Sequence, residues 1–176
     1  MNWKTLEFEQ FAARELYLIM RARSAVFVVE QAQVFLDADG HDENALHVFA
    51  TEDMSRPMPV IAYARIRPGD AQVIVDKVMT SPARRGDGTA ELLIVRVLKA
   101  AAARWPGCVV RVTAPASLRG FYEQFGFRKT EGLLPEHGMS FIGLTCQTRK
   151  IASLFGNRFG EPVVTDAVCT FECSGR

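Results

Sequence analysis

An excess of charge of either sign is missing from this chain. Its 21 Lys and Arg offset 20 Asp and Glu, leaving a net charge of +1. No Lys/Arg-rich run interleaved with aromatics is present, so nucleic acid is not an expected partner. Long apolar runs are absent as well. None approaches the roughly 18 uncharged residues that a membrane span needs, so no membrane partner is expected. Met1 to Gln10 carries Glu7 and Glu9 and lacks the apolar core of a secretory leader, which makes the cytoplasm the expected compartment. Cysteine is scarce. Cys108, Cys146, Cys169 and Cys173 form no C-x-x-C pair and have no Cys/His cluster beside them, so free thiols are expected and no metal site. There is no internal repeat and no low-complexity segment.

Several nucleotide and metal fingerprints also fail. Gly86-Asp87-Gly88 is not followed by a third glycine, and Glu91 comes too early to be a ribose carboxylate. No Gly-Lys-Ser/Thr follows a glycine turn, which excludes a P-loop. Asp37, Asp39, Asp42 and Glu43 suggest an EF-hand, but Gly40 directly follows Asp39 and the calcium-loop spacing is wrong.

At 176 residues and 48% hydrophobic, the chain is long enough for one domain with a real core. Its organising stretch is Arg84-Arg85-Gly86-Asp87-Gly88-Thr89-Ala90. A valine-dense run, Val73 to Met79, reads as the strand before it. After it, Ile94, Val97, Leu98 and Ala101 recur at the spacing of one helix face, and Trp105-Pro106-Gly107 stops that helix. A strand, a glycine turn and a helix start leave unpaired N–H groups at the positive end of a helix dipole. Glycine lets a ligand approach that backbone, so the stretch reads either as a pyrophosphate site or as a surface turn capped by glycine.

Arg85-Gly86-Asp87-Gly88-Thr89-Ala90 resembles the Arg/Gln-x-x-Gly-x-Gly/Ala motif of GNAT-type N-acetyltransferases. Val78, Pro82 and Arg85-Gly86 sit at the spacing usual in that family. Phe121-Tyr122-Glu123-Gln124-Phe125-Gly126-Phe127 resembles a second family segment. Arg23 to Gln31, with Val26-Phe27-Val28 and Glu30-Gln31, is similar to the ElaA-like branch. The likeness covers roughly residues 11–147. It implies an α/β fold with a mixed, largely antiparallel sheet, splayed at its central strand and carrying helices on both faces. The cofactor implied is acetyl-CoA, with its pyrophosphate on Arg84, Arg85, Gly86, Asp87, Gly88, Thr89 and Ala90. Its pantetheine arm would lie along Val78, Met79 and Thr80. Tyr122 is then the expected acid, near the CoA sulfur, protonating or hydrogen-bonding the leaving thiolate. Pro115 stands where relatives often carry Asn, which would remove one side-chain contact to that arm.

The acceptor implied is a primary amine, on a small molecule or on a protein. Phe11 to Val29 reads as a helix whose apolar stripe (Leu16, Ile19, Met20, Phe27) also carries Arg23. That charge either makes a structural or substrate-side ion pair, with Glu30 a candidate partner, or buries its stem and sends its head to water. The Asp37–His47 loop reads either as a solvated acidic loop or as a pocket wall that attracts a cationic amine through Asp37 and Asp39. His47 is expected to bond structurally rather than catalyse. Leu46 to Thr51 and Val60 to Ile66 read as strands. Alternation puts Tyr63 and Arg65 on one face, either exposed or turned into the acceptor cleft, and sends Asp76 and Lys77 to opposite faces. The general base stays open between Asp76, Glu30 and a relayed water.

Cys108 to Thr113 reads as a strand and Ala114 to Gln124 as a helix, with Ser117 a candidate cap. Phe127 to Thr130 and Met139 to Thr145 read as the last two strands, with His137 in the loop between them. The expected organisation is a domain over residues 1–147 and an extension over 148–176, either a packed strand or a homodimer arm. Two other readings stand: a non-catalytic acyl-CoA-binding module, and an acyltransferase like the acyl-homoserine-lactone synthases.

Overall fold

The computed structural model describes residues 1–148 except 54, 133, 137 and 138, and leaves the side chains of 134–136 and 139 undescribed. His137, Cys169, Cys173 and nearly all of the expected extension fall outside the described residues.

The strands are β1 (Asn2–Glu7), β2 (Leu46–Thr51), β3 (Val60–Pro68), β4 (Val73–Thr80), β5 (Val109–Pro115), β6 (Arg128–Lys129), β7 (Leu134–Glu136) and β8 (Met139–Gln147). The helices are α1 (Ala13–Arg23), α2 (Thr89–Arg104) and α3 (Arg119–Glu123). All eight strands join one sheet in the order β1-β2-β3-β4-β5-β8-β6, with β7 paired to β8. Among the described residues only β4 and β5 run parallel. Their ladder covers Val73–Val75 against Val110–Val112 and goes no further. Beyond it the two strands part, which is the splay expected at the central strand.

Alternation along β2 and β3 gives the sheet two buried faces. Val48, Ala50, Ala62, Ala64 and Ile66 pack against Leu93, Ile94, Val97, Leu98 and Ala101 of α2. Phe49, Tyr63 and Met79 pack against Ile19 and Ala22 of α1 and against Val26 and Phe27 beyond it. Tyr122, Phe125 and Phe127 join the α2 core.

Three local expectations need correction. The first helix does not run as a regular α-helix to Val29. From Ser24 to Glu30 it is a π-helix, closed by Gln31 N–H donating to Val26 C=O at 3.0 Å. The β-branched run crowds the α spacing here, and Phe27 must reach the sheet. Ala114 and Pro115 are strand, not helix, because they pair with Ile142 and Phe141 of β8. Ser117 then lies in a short 3₁₀ turn with no capping hydrogen bond, and α3 starts only at Arg119. Asp76 and Lys77 do not part to opposite faces. The β3–β4 register jumps between Tyr63↔Met79 and Arg65↔Asp76, and Lys77 has φ +51°. That bulge breaks the period of two and turns both side chains toward one ion-pair network.

Candidate functional site

The turn before α2 is built by two left-handed glycines, Gly86 (φ +76°) and Gly88 (φ +89°). A Cβ at either would meet nothing within 4 Å, so the space above the loop is open. Thr89 N–H donates to the Asp87 carboxylate at 3.0 Å, and Leu92 N–H donates to Gly88 C=O at 3.1 Å. The amides of Ala90 and Glu91 have no partner among the described residues. Both arginines of the motif are engaged by carboxylates. Arg85 makes a two-pronged pair with Glu30, at 2.6 and 2.9 Å. Arg84 donates to Glu52 and, at 3.2 Å, to Asp87. Hydrogen bonding to Arg85 lowers the Glu30 carboxyl below its ordinary range. The Thr89 bonds do the same for Asp87. The positive groups of this loop are thus paired with carboxylates of Glu30, Glu52 and Asp87.

Where β4 and β5 part, a cleft of about 680 Å³ opens between Asp76, Lys77 and Val78 on one side and Val112 to Pro115 on the other. Phe27, Gln31, Gln33 and Phe35 also line it, and Tyr122 lines it from α3. Tyr122 is 3% exposed. Its ring meets Phe121 edge-on at 5.2 Å and Phe127 at 5.5 Å, and its hydroxyl makes no hydrogen bond among the described residues. Burial pushes the phenol above its ordinary value of 10, so it stays protonated at neutral pH.

Beside the cleft lies a buried ion-pair network that the sequence only hinted at. Arg23, with a fully buried side chain, donates to Asp37 at 3.0 Å, to Asp42 at 2.6 Å and to the Asp37 carbonyl at 2.7 Å. Glu30 is not its partner, because the π-helical segment carries Glu30 away to Arg85. Arg65 forks onto Asp39 at 2.6 and 2.7 Å and onto Asp76 at 2.7 and 3.1 Å. Asp76 also accepts from Arg67 at 2.8 Å. Lys77 reaches Asp37 at 3.0 Å and lies 4.1 Å from the Phe35 ring centre. Burial works against the charges of Arg23 and Arg65, but their carboxylate partners outweigh it and both stay raised. The Arg65 bonds hold Asp39 well below the usual carboxylate range.

The Asp37–His47 loop is only partly solvated: Asp37 and Asp42 are 6% and 8% exposed, while Asp39 and Glu43 face solvent. The face of Tyr63 and Arg65 is not exposed, at 0% and 1%. His47 Nε2 donates to the Asp42 carbonyl at 2.9 Å, which can only accept, so Nδ1 accepts from the Tyr63 hydroxyl at 2.7 Å. Burial lowers the His47 pKa and keeps the ring neutral. Sequence reading did not assign Asp42 and Tyr63 to this network or Phe27 and Phe35 to the cleft. A buried arginine needing acceptors was the one signal present, and it does not say which distant acceptor is used.

Comparison with known proteins adds five findings. A family profile described as an acetyltransferase (GNAT) domain matches residues 19–148. The chain is 31% identical to protein ElaA of Escherichia coli over 149 residues, covering 82% of this chain and 95% of that one. The E. coli ElaA crystal structure superposes with a TM-score of 0.77, over 83% of this chain and 99% of that one. An acyl-CoA N-acyltransferase from Pseudomonas aeruginosa gives 0.76 at 29% identity, over 82% and 98%. A CoA-dependent acyl-homoserine lactone synthase gives 0.71 at 13% identity, over 86% of each chain, and shows a shared fold alone.

Proposed function

The chain belongs to the GNAT acetyltransferase family, and from that premise we propose that it moves an acetyl group from acetyl-CoA to a primary amine by direct attack. The observation that carries this reading is the splay of β4 from β5 beside a glycine turn with unpartnered amides. The residues fit the cofactor. The loop at Gly86–Glu91 is open above its glycines, its positive groups already attract carboxylates, and the parted strand edges leave backbone free for an extended arm.

Bound there, acetyl-CoA supplies an activated thioester, and the remaining roles fall to the protein. Amides of Gly86, Gly88 and Ala90, with Arg84 and Arg85, hold the pyrophosphate. Backbone of Val78, Met79 and Thr80 lines the pantetheine, and an N–H near Val78 polarises the thioester carbonyl. Tyr122 faces the cleft as a protonated phenol. Held above about 10, it is a weaker acid than a thiol near 8.5. Its contribution is therefore mainly a hydrogen bond to the departing sulfur, with proton transfer secondary. The attacking amine must lose its proton. Asp76 is held by Arg65 and Arg67, and Glu30 stands at the mouth outside the cleft lining, so a water relay along the Gln31–Gln33 wall is the base this cleft favours. Arg23, Asp37, Asp39, His47 and Arg65 act behind that wall by fixing it in place.

Calorimetric titration with acetyl-CoA tests the reading, beside the variant Gly88→Glu. Binding by the wild type and none by the variant is the expected result. No binding by the wild type would leave the motif a plain turn and end the enzyme reading. Binding without turnover on a panel of primary amines would favour a non-catalytic acyl-CoA-binding module.

A further inference from the structure

The network beside the cleft has no charge to spare. Arg23, Arg65, Arg67 and Lys77 are matched by Asp37, Asp39, Asp42 and Asp76. A cationic acceptor therefore finds no uncommitted carboxylate in that wall. Glu30 differs from these groups. Its side chain is 37% exposed and its partner, Arg85, is 45% exposed. It ends the π-helical segment, next to Gln31 on the cleft wall, while Arg85 belongs to the loop before α2. The pair ties the acceptor side of the mouth to the cofactor side across 55 residues of sequence.

Resting on the acetyl-CoA reading above, we propose that the cofactor's diphosphate displaces Glu30 from Arg85. Cofactor binding thereby frees one carboxylate at the acceptor side of the mouth, where it recruits a cationic amine. The exchange conserves charge. One anion replaces another on the same guanidinium, and no bond is made or broken. Before exchange, Glu30 competes with the cofactor for Arg85. After it, a negative group stands free beside Gln31, one residue from the cleft lining. Cofactor and cationic acceptor should thus bind with positive coupling, which is reciprocal by linkage. The order of addition that follows is cofactor first.

The test is calorimetric titration of acetyl-CoA into the full chain and its variants Glu30→Gln, Arg85→Gln and the double variant. Because both side chains are partly exposed, neither change should affect folding. Glu30→Gln should tighten acetyl-CoA about two- to fivefold, the scale of one exposed ion pair. That gain should vanish in the Arg85→Gln background, since without Arg85 there is nothing to compete for. A gain that persists without Arg85 would mean a general charge effect and overturn the exchange. Equal or weaker binding by Glu30→Gln would also overturn it, leaving Glu30 to orient Arg85 only. In a second arm, 1,4-diaminobutane is titrated with and without saturating CoA. CoA should strengthen diamine binding in the wild type and not in Glu30→Gln. Equal coupling in both would refute the recruiting role. Absence of acetyl-CoA binding in wild type and variants alike would instead remove the cofactor reading, and this inference with it.

Discussion

Tyr122 and Arg23 show how differently two buried polar groups can be used. The Tyr122 hydroxyl has no hydrogen bond among the described residues, yet it lines the cleft. Tyr122→Phe should lower kcat about a hundredfold, at the lower end for loss of a proton donor. Acetyl-CoA affinity should barely change, and calorimetry beside steady-state kinetics separates the two; unchanged turnover would take Tyr122 out of the chemistry. Arg23 is satisfied on all sides, so its loss should be structural. Arg23→Met strands Asp37 and Asp42 in the interior and should cost about 3–5 kcal/mol in urea unfolding. His47 adds a pH dependence. Its folded pKa lies below the ordinary 6.5, so the unfolded chain takes a proton that the folded chain refuses. Its contribution is complete above about 6.5 and fades as pH falls toward the lower folded value, by at most about 1.4 kcal/mol per pH unit. His47→Gln should flatten unfolding free energy measured between about pH 7.5 and 5.5. The stripe of the first helix made it legible that Arg23 needed acceptors. Which acceptors was not legible, because Asp37 and Asp42 arrive through a loop whose path no local pattern fixes.

At the level of elements, legibility followed periodicity. The valine-rich β4 and the apolar face of α2 were readable because each repeats its own period. The bulge at Lys77 was not, since it depends on β3 pairing one residue against two. Pro115 looked like a helix start and is strand because β8 lies beside it. The glycine turn allows an element-scale test. Gly88 sits at φ +89° with free space around it, so Gly88→Ala adds backbone strain and no clash. It should lower stability by about 1–2 kcal/mol. Gly88→Glu adds the same strain and a carboxylate as well. Comparing acetyl-CoA binding by the two separates the shape of the turn from its charge. If Ala abolishes binding as fully as Glu, the turn conformation rather than the anion site is decisive.

For the whole molecule, two carboxylates of the acidic loop, Asp37 and Asp42, belong to the interior. Asp37→Asn with Asp39→Asn should lower the melting temperature, because Arg23, Arg65 and Lys77 each lose a partner, before any effect on an acceptor's KM can be read. Ligand linkage runs the other way. Acetyl-CoA at a hundred times its Kd should stabilise the fold by about 2.7 kcal/mol, or roughly 5–10 °C in Tm for a domain of this size. No shift in a thermal melt would contradict cofactor binding. Among the described residues no helix is long and apolar enough to cross a membrane.

The three-residue ladder between β4 and β5 has one more consequence. It is the only strand pairing that joins β1–β4 to β5–β8 among the described residues. The sheet is therefore two stitched panels with a seam, and an extended ligand arm laid in that seam would act as the missing strand. In amide hydrogen exchange, seam-facing amides of Val78–Thr80 and Thr113–Ala114 should trade deuterium quickly in the free protein, while those of Val73–Val75 remain slow. Filling the seam should bring the two sets together, so that the interrupted sheet exchanges as one continuous fabric.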